Sequence, residues 1–199
     1  MEIMSKAERT RQFIIERTAP IFNQKGYAGT SLNDITQATG LTRGGIYGNF
    51  SNKDEVALAA FDYNYGQLSK AIRQRMDEMP HPIDKLRVYL TVFADFAHIP
   101  TLQFGCPVLN TAIEADDTHE GLRKKAVGAI DSWYKNITGI IKEGQGNQQV
   151  QPGIDADEFA GAFIALIEGG IMLAKVTGRP NGLKAAMKQA GKMINDLAV

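Results

Sequence analysis

The stretch SLNDITQATGLTRGGIYGNFSNKDE, residues 31–55, decides the fold. Ser31 stands three residues ahead of Asp34 and Ser51 three ahead of Asp54, the spacing at which a hydroxyl and a carboxylate close a helix start reciprocally. Between these starts Leu32, Ile35 and Ala38 make one apolar stripe, Gly40 permits a left-handed turn, and Leu41, Ile46 and Phe50 supply the next apolar contacts. The pattern predicts two helices, each of fewer than about ten residues, meeting at a glycine.

A short helix, a tight turn and a second helix with a polar N-terminus fit a helix-turn-helix, whose second helix enters the DNA major groove. Arg43 sits at that N-terminus, where a guanidinium pairs bidentately with guanine. Thr42 suits the N-cap, Gly44 lets the backbone come close, and Tyr47 lies one turn later on the same face, facing a phosphate. Lys53 and the cap hydroxyls of Thr30 and Ser31 are further phosphate ligands, because helix N-termini favour anions. The plainer reading is a small core of short helices with a surface arginine. Caps, polar face and buried positions all agree with the DNA-binding one.

Working outward, Phe13, Ile14, Ile21 and Phe22 fall at helical spacing over residues 5–25, with Gly26 as the stop. Pro20 should kink this helix or end it near Ala19. Downstream, Phe61, Tyr65, Leu68, Ile72, Met76 and Met79 mark a long amphipathic helix over residues 52–79. The Pro-His-Pro run at 80–82 ends it. A helix through Leu86, Leu90, Phe93 and Ala97 then stops at Pro100, a short one starts near Pro107, and a longer one carries Leu122, Ala126, Ile130, Trp133, Ile137 and Ile141. A polar loop at 144–153 precedes a final pair, centred on FAGAFIALIEGGIMLAKV and on Leu183, Met187, Ala190, Ile194 and Leu197. No stretch alternates as a strand. The expected fold is all-α, with a three-helix N-terminal helix-turn-helix domain at 1–51, a larger helical bundle at 52–199, and about nine helices in all.

Composition sets limits. The 199 residues carry no net charge, and residues 1–55 hold seven basic against six acidic side chains, so the acids must sit away from any DNA face. No apolar run approaches a membrane span and the N-terminus is charged, which gives a cytoplasmic expectation with no membrane partner. The single cysteine, Cys106, excludes a disulfide framework and a multi-cysteine zinc site. His81, His98 and His119 lack metal-ligand spacing, and Glu114, Asp116 and Asp117 read as a solvated helix end. With no nucleophile elbow, phosphate loop or dinucleotide fingerprint, neither catalytic residues nor a cofactor nor a metal is expected.

Over residues 9–61, including KGYAGTSLNDITQATGLTRGGIYGNFSNKDE, the sequence resembles the N-terminal domain of the TetR family of bacterial repressors. The resemblance implies a first helix running through Pro20, a helix-turn-helix at about 31–49, and dimeric repression at an operator in double-stranded DNA. Gly48 departs from it, standing where many members carry an aromatic or histidine, and Pro20 stands where alanine is common. Beyond about residue 65 the likeness is architectural only. In such proteins the C-terminal helices form an effector pocket and a dimer interface. Phe93, Phe96, Phe104, Trp133 and Phe163 supply aromatic walls for a small-molecule effector, although aromatics at this spacing also serve as plain core. The small residues Ala160, Gly161, Ala162, Ala165, Gly169 and Gly170 let a neighbouring helix approach, placing the homodimer interface on the last two helices. Cys106, at a helix N-terminus that stabilises a thiolate, resembles the cysteine of electrophile-sensing relatives, or is a small buried hydrophobe. The rival functions are a DNA-binding protein whose bundle is purely structural, and a cofactor-independent enzyme.

Overall fold

The computed structural model describes residues 4–95, 99 and 102–199. Phe96, Ala97, His98 and Pro100 lie outside them. Nine helices follow in chain order among the described residues: α1 (Lys6–Gly29), α2 (Leu32–Thr39), α3 (Arg43–Tyr47), α4 (Lys53–Met76), α5 (Pro82–Ala94), α6 (Pro107–Ala115), α7 (Glu120–Gly146), α8 (Ala156–Thr177) and α9 (Asn181–Asn195). Contacts gather them into two units. One is Met1–Gln67 with Pro107–Val127, and the other is Leu68–Cys106 with Gly128–Val199. This division falls inside α4 and α7, a partition different from the functional boundary expected at 51/52.

In the first unit, Ser5 opens α1 with a capping box: its hydroxyl accepts from the Glu8 amide at 3.2 Å and its own amide donates to the Glu8 carboxylate at 2.7 Å. Ile14, Thr18, Ala19, Phe22 and Asn23 then bury one face. The helix does not end at Ala19. Pro20 removes only the bond to the Glu16 carbonyl, and Glu16 is exposed, so that carbonyl stays on the wet side while the buried face holds the helix together. The break comes at Gly26, whose φ of 73° and ψ of 179° leave the helical region.

Ser31 and Asp34 form the expected capping box on α2. Ser51 and Asp54 do not form one on α4. Asn52 caps instead, accepting from the Glu55 amide at 2.9 Å, while the Glu55 carboxylate reaches back to the Ser51 amide at 2.7 Å. Asp54 is drawn away by the Tyr27 hydroxyl, which donates to it.

In the second unit, His81 caps α5 by accepting from the Ile83 amide at 3.2 Å, with Pro82 in the first turn. The expected polar loop begins later than 144, because α7 continues to Gly146. Behind it Val150 and Ala198 make an isolated antiparallel bridge. Asp155 caps α8 through the amides of Asp157 and Glu158. Contrary to the sequence reading, among the described residues one helix is long and apolar enough to cross a membrane: α8, of 22 residues, with a stretch of 18 at mean hydropathy 1.7. It packs on α9 through Gly170, where an added Cβ would come within 2.7 Å of Ala186. It contacts α9 and α5 within the second unit, and part of its apolar surface stays exposed.

Candidate functional site

The helix-turn-helix is built from local rules. Ile35, Ile46 and Phe50 are buried and fix α2 and α3 against their surroundings. Gly40 takes φ 67° and its amide donates to the Thr36 carbonyl at 2.9 Å, turning the chain sharply enough for α3 to start three residues later. A side chain is disfavoured at that φ. Thr42 caps α3, its hydroxyl accepting from the Gly45 amide at 3.1 Å. The first turn of α3 is thereby fixed with Thr42, Arg43, Gly44 and Tyr47 all exposed.

That face can meet a duplex. Arg43 makes no ion pair among the described residues, and an exposed guanidinium suits a base edge or a phosphate. A Cβ at Gly44 would meet nothing nearer than the Thr42 hydroxyl at 3.9 Å, so the fold itself does not require glycine there. Tyr47 is 42 % exposed. Ser31 is exposed, but its hydroxyl already donates to Asp34 at 2.7 Å. Lys53 holds its ammonium 4.2 Å from the centre of the Tyr27 ring, a cation–π contact at the first residue of α4. Thr30 is a correction: it is fully buried, and its hydroxyl donates to the Gly26 carbonyl at 2.6 Å. It closes the end of α1 and presents nothing to a phosphate.

The acids of this region are held in caps and pairs. Lys25 lies 2.6 Å from Asp34, and with the Ser31 hydroxyl and amide it holds that carboxyl well below the usual carboxylate range. The Ser51 amide and Arg11 keep Glu55 low in the same way. Asp54, accepting from Tyr27, pushes that phenol up to about 12, with burial adding to the effect.

Sequence reasoning missed two supporting residues. Arg11 donates to the Asn49 carbonyl at 2.5 Å and to Glu55 at 2.7 Å, and its guanidinium lies 4.0 Å from the centre of the Phe50 ring. It thus ties α1 to both the end of α3 and the start of α4. Glu114, expected to be a solvated helix end, accepts from the amides of Tyr27 and Ala28 at 2.7 and 2.8 Å. Asn110 on the same helix donates to the Asn23 carbonyl at 3.1 Å. These bonds fasten α6 to α1 immediately before α2.

In the second unit a cavity of about 10 Å³ is lined by Tyr89, Phe93, Trp133, Phe163 and Glu168, among others. It has room for about one water. Three of the expected aromatic walls are therefore together, with Phe93 and Trp133 edge-to-face at 6.0 Å. Phe104 is half-buried and is not part of this wall, Phe96 lies outside the described residues, and Cys106 is fully buried. Burial pushes the Glu168 carboxyl up to about 7, against a smaller opposing pull from the Cys106 thiol. Its signal in the sequence is one acid in the apolar run FIALIEGGIML.

Two family models match the chain: "Bacterial regulatory proteins, tetR family" over residues 14–60, and "Tetracyclin repressor-like, C-terminal domain" over residues 82–190. A TetR-family transcriptional regulator from Cytophaga hutchinsonii superposes with a TM-score of 0.95 at 45 % identity, over 100 % of this chain and 99 % of that one. An uncharacterised HTH-type transcriptional regulator from Lactococcus lactis subsp. lactis is 30 % identical over 178 residues, 88 % of each chain. The HTH-type transcriptional repressor DhaR of Mycobacterium sp. (strain GP1) is 25 % identical over 168 residues, covering 83 % of this chain and 82 % of its own.

Proposed function

The chain belongs to the tetR family of bacterial regulatory proteins and is a DNA-binding transcriptional regulator, and from that premise we propose that it is a repressor whose dimer leaves a pseudo-palindromic operator when a small molecule enters its helical bundle. The observation that carries this reading is the exposed Thr42, Arg43, Gly44 and Tyr47 face, capped and turned outward by Thr42 and Gly40. In it Arg43 reads a base, Tyr47 and Lys53 contact phosphates, and Ser31 joins them if its hydroxyl turns from Asp34. Residues 1–51 carry the DNA contacts and 52–199 the effector site and the dimer interface. It acts in the cytoplasm and catalyses no reaction.

The dimer interface belongs to α8 and α9. Met172, Leu173 and Val176 on α8 are 42, 46 and 79 % exposed, an apolar strip in want of a cover. The small residues of α8 divide between two uses: Gly170 serves packing on α9 within the chain, and Gly161 lies under the Tyr134 hydroxyl, whereas Ala162 and Ala165 are exposed. A second reading, a bundle with no effector, is favoured by the small size of the cavity.

Selection of bound duplexes from a random pool tests the main reading. A two-fold symmetric site, with half-sites about 34 Å or a multiple apart, is expected. Recovery of unrelated sequences with no symmetry would refute specific binding by a dimer.

A further inference from the structure

Glu168 is a residue that core packing does not explain. Both of its carboxylate oxygens are buried without a geometric hydrogen bond, the weak Cys106 thiol lowers its pKa by less than burial raises it, and no ion pair reaches it among the described residues. A buried carboxylate is ordinarily paired or hydrogen-bonded, since taking it out of water unaccompanied is costly. Here it lines the cavity whose other walls include Tyr89, Phe93, Trp133 and Phe163. The rings of Phe93 and Trp133 stand at 84° to one another, and those of Tyr89 and Phe163 at 90°, so the walls present both ring faces and ring edges.

We propose that this cavity is a subsite for a monovalent organic cation, a substituted ammonium whose charge meets the Glu168 carboxylate and whose alkyl groups lie on the aromatic faces. The proposal rests on the effector-release reading above and names the chemical class of the effector. Each part of the site favours positive charge. The ring faces attract a cation through their quadrupoles, most strongly when water is excluded. The carboxylate gains a counter-charge, where the Cys106 thiol offers only a weak donor. An anionic ligand would be repelled, and a neutral apolar one would leave the carboxylate without a counter-charge. Because the cavity holds about one water, an ammonium enters only if α5, α7 and α8 part around it. Entry is thus a displacement of helices, which is what release of an operator requires.

Trp133 is the sole tryptophan of the sequence and sits in the cavity wall, so its fluorescence in the full-length protein reports occupancy. The probes are benzyltrimethylammonium and neopentylbenzene, which share a shape and differ by one charge. The cation is expected to bind at least about tenfold more tightly than its neutral isostere. Glu168→Gln should abolish that preference by weakening the cation while leaving the isostere within about twofold. The variant removes a buried charge and keeps the side-chain shape, and a circular-dichroism melt verifies that it folds. Equal affinity of the two probes for the unsubstituted protein, or an unchanged cation affinity in Glu168→Gln, overturns the proposal. A Glu168-dependent cation preference that leaves operator binding intact upholds the subsite and overturns only release by effector.

Discussion

Arg43 and Tyr47 share one exposed face, and in the proposed complex they answer to different parts of a duplex. A guanidinium that forks onto a guanine edge distinguishes bases, so Arg43→Ala should cost about 1 to 3 kcal/mol on the operator and make the protein indifferent to the base there. A phenol on a phosphate distinguishes nothing, so Tyr47→Phe should weaken all duplexes alike. Titrations against the operator and single-base variants separate the two, and uniform weakening by both substitutions would assign Arg43 to phosphate. Glu168 makes a prediction of the opposite kind, about stability. Its carboxyl, ordinarily at 4.5, stands at about 7 in the folded protein. The folded state therefore holds a proton that the unfolded chain releases between those values. The stabilisation from this group is complete below the lower value and is lost as pH rises through about 7, a difference on the order of 3 kcal/mol. Denaturant unfolding should show Glu168→Gln gaining on the unsubstituted protein from about pH 5 to about pH 8. A gap that stays constant across that range would show that the carboxylate is solvated.

The helices show what is legible in a sequence and what is not. The Ser31 box, the Gly40 turn and the Thr42 cap were readable because each involves partners within four residues. Ser51 was misread because Asn52 and Glu55 offer the same spacing one residue on, and only the pull of Tyr27 on Asp54 decides between them. The roles of Arg11 and Glu114 were not readable at all. Their partners lie 38 and 87 positions away, and neither charge carries a local sign of where it will dock. The cavity is an intermediate case, in which spacing gave Phe93, Trp133 and Phe163 as inward-facing but could not say that Phe104 would stand apart. At this scale Glu114→Ala is the informative substitution, since it strands the amides of Tyr27 and Ala28. Those amides are partly accessible, so the loss should be about 1 to 2 kcal/mol, seen as a Tm lower by a few degrees. Gly26→Ala should be worse, because the new methyl runs into that same carboxylate at a φ that L residues avoid. An unchanged melt in both would mean that α6 is not fastened to α1 in solution.

As the proposed dimer, the whole molecule places two readers on one operator. Val176→Asp, at a position 79 % exposed, should leave the folded chain intact while putting a charge in the proposed interface. Sedimentation should then show a monomer, and operator binding should fall with dimerisation; a dimer that persists would put the interface elsewhere. Release of that operator also has a thermodynamic measure. To move nearly all of the protein from competent to released, an effector must favour the released state by roughly 5.5 kcal/mol. Operator DNA must then weaken effector binding by the same factor, and calorimetry with and without operator measures it directly. Equal affinities would leave a constitutive DNA-binding protein. The docking of Glu114 onto the end of α1 has a further consequence, for recombination. The first unit draws on two separate lengths of chain, 1–67 and 107–127, so its reader is not a detachable cassette. A chimera that grafts residues 1–51 onto a foreign bundle carries the Tyr27 and Ala28 amides away from the carboxylate that receives them. Exchange of operator specificity between paralogues should therefore succeed when α6 travels with the reader, and fail when the two are inherited apart.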